Sequence, residues 1–215
     1  MIKNSQPAII DARTAQKLIG LLGLALPVIL VIGHFATSGA ILPTLSEYVY
    51  TEFEPFFVGI LFAIGVMFFA YKGYADNKGP IPLSDNNLAN IAGAASIMTA
   101  IAQTRSCLYP AADGLMGIVH VISAIVMLNC MALFCLFYFT QTGTDPVSAA
   151  KERKNKIYRI CGYIMVAGLL IGLIYMFVRD QSCPNPSSLL LWLEWMMIWA
   201  FSFAWCIKGG MFLKD

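Results

Sequence analysis

Two imidazoles and one carboxylate carry most of the chemistry this chain could do. His34, His120 and Glu194 each fall inside an apolar run. An ionisable side chain is costly in hydrocarbon and therefore faces a protein interior or a water-filled pocket. Imidazole titrates near neutrality, so His34 and His120 with Glu194 read as general acid/base groups. The same three groups offer the nitrogen and oxygen donors of a catalytic zinc with an open water position, although no local ligand pattern such as HExxH accompanies them. They equally suit a proton relay in a small transporter, or an interhelical hydrogen-bond cluster with a packing role alone. Gln103, Arg105, Asp113 and Glu54 lie at the margins of such runs and are candidates to line the mouth of a shared pocket. There is no phosphate-binding loop, nucleotide fingerprint or Ser/His/Asp order.

The elements that must position these residues are membrane helices. The 215 residues are 59% hydrophobic and 12% charged, with a mean hydropathy of +0.71. That composition excludes a soluble globule, because too little polar surface is available to meet water. Six apolar segments stand out: Leu18–Ser38, Pro55–Tyr71, Leu88–Thr104, Gly114–Thr140, Ile157–Val178 and Ser188–Lys208. Each has about 17–27 residues, enough to span hydrocarbon as helix. The runs are continuous instead of alternating with period two, which favours helices over barrel strands. The expectation is an all-α bundle: a cytoplasmic arm over 1–17, a six-helix transmembrane domain over 18–208 and a cytoplasmic tail over 209–215. The first run exceeds the apolar core of a signal peptide and follows a polar arm, so it reads as a retained helix.

A net charge of +2, with no basic stretch interleaved with aromatics, excludes a nucleic-acid partner; membrane lipids are the expected one. Of the 14 Lys and Arg, all but Arg105 and Arg179 fall on one side of the six spans. The positive-inside rule then predicts both termini in the cytoplasm, with loops 39–54, 105–113 and 179–187 facing outward. On that topology His34 lies about one turn from the outward end of span one, His120 about two turns into span four and Glu194 about one turn into span six. All three share one layer of the outer leaflet.

Among the six cysteines, Cys107 and Cys183 alone fall in outward loops, on the side where disulfides persist, which predicts a bridge between them. The other four lie in spans and read as small apolar residues. Gly168 and Gly172 form a GxxxG, and Gly93 with Ala92, Ala94, Ala95 and Ser96 gives span three a small-residue side. Both allow close helix approach, read as packing within the monomer, with a weak homodimer as the alternative.

Several stretches together resemble a family of uncharacterised bacterial integral membrane proteins over nearly the whole chain. They are Phe57–Gly65 followed by Tyr71-Lys72-Gly73-Tyr74, then Arg153–Gly162, then Glu194-Trp195 leading into Trp199–Trp205 and Lys208-Gly209. More remotely, the six-span plan, the His120 span and the Glu194-Trp195 pair are similar to the superfamily that contains the damage-regulated autophagy modulators (DRAM) and GPI-anchor lipid-remodelling proteins. The resemblance implies a lipid-related role in the non-cytoplasmic leaflet of a bacterial inner membrane or its equivalent, with His120 and Glu194 as the matching polar positions. It names no cofactor. Bacterial relatives carry a more charged or histidine-bearing stretch before span two, where this chain has Glu47–Pro55.

Overall fold

The computed structural model describes residues 12–73, 82–106, 114–142, 146–178 and 187–213. These form six main helices: α1 (Ala12–Ser38), α2 (Glu54–Ala70), α3 (Asp85–Ile101), α4 (Leu115–Tyr138), α5 (Ala149–Val178) and α6 (Leu189–Lys208). There is no strand among the described residues. Four of the helices, α1, α4, α5 and α6, are long and apolar enough to cross a membrane. Helices α2 and α3 have 17 residues each, or about 26 Å of length at 1.5 Å per residue, a little under the hydrocarbon thickness.

Local chemistry sets the helix boundaries, and several differ from the expected ones. Helix α3 starts at Asp85 instead of Leu88, because the Ser84 hydroxyl oxygen accepts the Asn87 N–H at 3.1 Å and caps it. Helix α5 begins at Ala149, so the basic run Lys151–Lys156 is helical and not part of a loop. Its Ala, Lys, Glu and Arg residues are good helix formers. Helix α1 begins at Ala12, inside the expected arm, and passes through Pro27. Proline lacks the N–H that the ladder needs, and the helix absorbs this in a wider π turn over Val28–Ile32.

Each helix packs on the next, and α6 closes on α1, so the six form a ring. Neighbours run antiparallel. Gly20 meets Ser202 and Cys206, while further down the same pair Gly209 meets Lys17 and Arg13. The small-residue side of α3 packs on α2: a Cβ on Gly65 would press on the Gly93 carbonyl oxygen, and one on Gly93 on that of Gly65. The buried Ser96 hydroxyl donates to the Leu61 carbonyl at 2.8 Å across the same contact. Gly168 carries Met197 of α6, so this glycine serves packing within the chain.

The two ends of the ring differ. At one end, Trp205 is fully buried among Phe68, Tyr71, Phe134, Phe139 and Phe201, with ring centroids 5.1–5.8 Å away. Aromatic pairs of this kind contribute about 0.5–1.5 kcal/mol each beyond their burial. Arg13, Lys72, Lys151, Lys154 and Lys208 line a cavity at this end, which we call the basic end. At the other end the connection between α1 and α2 folds back into the ring as a plug. Its Leu42, Leu45, Tyr48 and Val49 are buried, and Ser46–Tyr50 forms a 3₁₀ turn. The outer surface carries exposed Phe62, Phe69, Leu170, Ile174, Trp192 and Phe203, an apolar belt consistent with an integral membrane protein.

The Cys107–Cys183 bridge expected from the sequence falls on two positions that lie outside the described residues. Among the described residues no cysteine pair lies at disulfide distance, and the four cysteines are buried free thiols.

Candidate functional site

The plug is held by hydrogen bonds to three other parts of the ring. Toward α6, the Leu191 N–H donates to the Pro43 carbonyl at 2.9 Å, and the Leu45 N–H donates to Glu194 Oε2 at 2.7 Å. Toward the segment that leaves α3, the Tyr50 hydroxyl donates to the Thr104 carbonyl at 2.5 Å, and Glu47 Oε2 accepts the Ser106 hydroxyl at 3.1 Å. Toward α4, Ser46 Oγ lies 2.8 Å from His120 Nε2. The carbonyls at a helix C-terminus lack intrahelical partners. The Ala102 carbonyl, where the chain leaves α3, meets His120 Nδ1 at 2.8 Å.

Behind the plug lies a cavity of about 590 Å³ between α4, α5 and α6. Its outer part is polar, lined by Ser46, Glu47, Arg105, Ser106, His120 and Glu194. Its deeper part is apolar, lined by Ile122, Ile125, Leu128, Leu169, Leu173 and Met197. Along α4 the distance from His120 to Leu128 is about 12 Å, so the cavity reaches well into the apolar layer. The stem of Arg105 lies over the bare Cα of Gly117, and the residue is exposed while lining the cavity. Burial raises the Glu47 carboxyl above its ordinary value, and the Ser106 hydroxyl offsets part of that rise.

Of the residues singled out in the sequence, His120, Glu194 and Arg105 line this cavity and His34 does not. His34 lies about one turn before the end of α1, at the same end of the ring, but its ring packs edge-on against Tyr48 at 5.5 Å and Phe53 at 6.2 Å. Its Nδ1 is 3.4 Å from Glu52 Oε1, which also accepts the Thr37 hydroxyl at 2.5 Å. The Thr37 bond, more than His34, holds the Glu52 carboxyl below its ordinary value. The three groups therefore share one end of the bundle but not one pocket. Among the described residues no three His, Cys, Asp or Glu side chains converge on a metal position. Gln103 and Glu54 are exposed and lie outside the cavity lining, while Asp113 lies outside the described residues.

Ser46 and Glu47 were not legible as site residues. They belong to a loop without helical period, and Ser46 reaches His120 across 74 positions of chain. The one available signal was polarity, since Thr44, Ser46 and Glu47 interrupt the apolar sequence between Ile41 and Val49.

Compared with known protein families, with curated proteins and with solved structures, the chain matches none.

Proposed function

We propose that this protein is a six-span membrane protein of a bacterial inner membrane or its equivalent, which takes a lipid or similar amphiphile into the cavity behind the plug and modifies it. The observation that carries the reading is the division of that cavity into a polar outer part and an apolar floor. A head group needs the first and a hydrocarbon chain the second. His120, between the two, is the general base, and Glu194 anchors the plug that closes the polar part. With Arg13, Lys72, Lys151, Lys154 and Lys208 at the opposite end, the positive-inside rule puts the basic end and both termini in the cytoplasm and the plug in the outer leaflet. The resemblance read from the sequence alone, in the His120 span and the Glu194-Trp195 pair, would imply a lipid as the ligand.

Purification in mild detergent followed by lipid mass spectrometry tests the reading. The protein is expected to retain an amphiphile in near-stoichiometric amount. Leu128→Trp and Leu169→Trp, which fill the apolar floor, are expected to cut retention by more than half. A wild-type protein that carries no lipid above the detergent blank overturns the reading.

A further inference from the structure

The neutral His120 ring has a single arrangement in this site. The Ala102 carbonyl oxygen at 2.8 Å can only accept, so Nδ1 carries the ring proton. Nε2 is then an acceptor, and the Ser46 hydroxyl 2.8 Å away must be the donor. The result is a serine hydroxyl aimed at a base whose far nitrogen is oriented by a third group, the geometry that activates serine nucleophiles on unrelated folds. Here a carbonyl takes the place of the usual carboxylate. Both side chains line the cavity, although Ser46 is only 9% exposed and His120 only 3%. Two charged groups on the same lining have matching uses. Once ionised, Glu47 favours an imidazolium as it forms, and the Arg105 guanidinium favours negative charge on a carbonyl oxygen.

Resting on the amphiphile reading above, we infer that Ser46 is a nucleophile activated by His120 and that the ligand is a carboxylic ester of an amphiphile, its acyl chain lying along Ile125, Leu128 and Leu169. His120 Nε2 takes the hydroxyl proton as Ser46 Oγ bonds to the ester carbonyl carbon. The tetrahedral intermediate collapses, the bond from carbon to the alcohol oxygen breaks, and the alcohol leaves with the proton from Nε2. Water, or a second alcohol in a transfer reaction, gives its proton to Nε2 and attacks the acyl carbon. The bond to Oγ then breaks and Ser46 regains its proton. The net change is ester plus water to acid plus alcohol, or exchange of one alcohol for another, with no oxidant or metal required by the balance.

The full-length protein in mild detergent is treated with a long-chain alkyl fluorophosphonate, and the modified residue is located by peptide mass spectrometry. Stoichiometric modification of Ser46 is expected, absent in Ser46→Ala and slowed at least 100-fold in His120→Gln. Ser46→Cys keeps a nucleophile in place. In protein that still retains its amphiphile and whose buried Cys130, Cys135, Cys161 and Cys206 stay unlabelled, it is expected to exchange fluorophosphonate labelling for labelling of position 46 by a long-chain iodoacetamide. An unmodified Ser46 in wild-type protein that still retains its amphiphile overturns the nucleophile and leaves the binding reading intact. Labelling of equal rate in His120→Gln also overturns it. Labelling of Ser46 in a protein that retains no amphiphile supports the nucleophile and overturns the binding reading instead.

Discussion

The backbone N–H of Leu45 donates to the carboxylate of Glu194 at 2.7 Å, across 149 positions of chain. A loop residue is thereby fixed to a helix of the opposite end of the sequence, and Ser46 follows directly after the fixed point. Leaving a partly buried donor without an acceptor costs about 1–3 kcal/mol. Glu194→Ala is therefore expected to lower the thermal unfolding temperature in detergent and to loosen the plug, read as faster hydrogen exchange over residues 42–50. Glu194→Gln keeps a carbonyl acceptor in place and should restore most of both. Equal loss in the two variants would show that the Leu45 bond is not what Glu194 supplies.

Glu47 makes the plug sensitive to pH. Burial raises its folded-state carboxyl above the value it has in the unfolded chain, so folding favours the protonated form. That contribution is full below the unfolded value and is lost as pH rises through the raised one. Wild-type thermal stability is expected to fall as pH climbs from about 4 toward neutrality, starting near the ordinary carboxylate value. In Glu47→Gln the fall should be smaller, because no ionisation occurs at that position. Melting curves collected as a function of pH for both proteins decide the point, and parallel curves would count against it.

The contact between α2 and α3 leaves no room for a methyl group. A Cβ at Gly65 or Gly93 meets the carbonyl oxygen of the other, and backbone cannot step aside as a flexible side chain can. Gly65→Ala and Gly93→Ala should each destabilise by about 1–3 kcal/mol, the usual range for overpacking. Gly59, with nothing near its absent Cβ, is the control, and Gly59→Ala is expected to be neutral or slightly stabilising. Denaturation midpoints for the three variants provide the comparison.

Orientation can be read from the two ends of the ring. In a background with Cys107 and Cys183 replaced by serine, a cysteine placed at the exposed Gln103 is expected to react with a membrane-impermeant maleimide in intact cells. One placed at Lys156, on the exposed surface of the basic end of α5, should react only after permeabilisation. The opposite pattern would invert the topology.

Apolar runs made the helices legible, since length and hydropathy act through every residue of a span. Boundaries were less so. Ser84 as a cap extended α3 toward its start, and the helix-forming run after Ala149 carried α5 past the end of its apolar stretch. His120 and Glu194 stood out because charge in hydrocarbon is expensive wherever it occurs in a sequence. Depth, however, says nothing about direction around a helix axis. His34 was placed at the right end but turns to Tyr48 and Glu52, away from the cavity. Ser46 was invisible because a loop serine gains meaning only from what the fold sets beside it.

The π turn after Pro27 has a consequence for how α1 tolerates change. A turn closed by i→i+5 bonds holds about one residue more than an ordinary one, so the helix is re-phased between Gly23, which faces Ser202, and His34, which faces Tyr48. Removing a single residue from Val28–Ile32 would let the turn close as ordinary α-helix and leave the imidazole facing Tyr48, whereas adding a second surplus residue would swing it toward acyl chains. The wider turn takes up the surplus residue, beside a proline that looks at first like a defect.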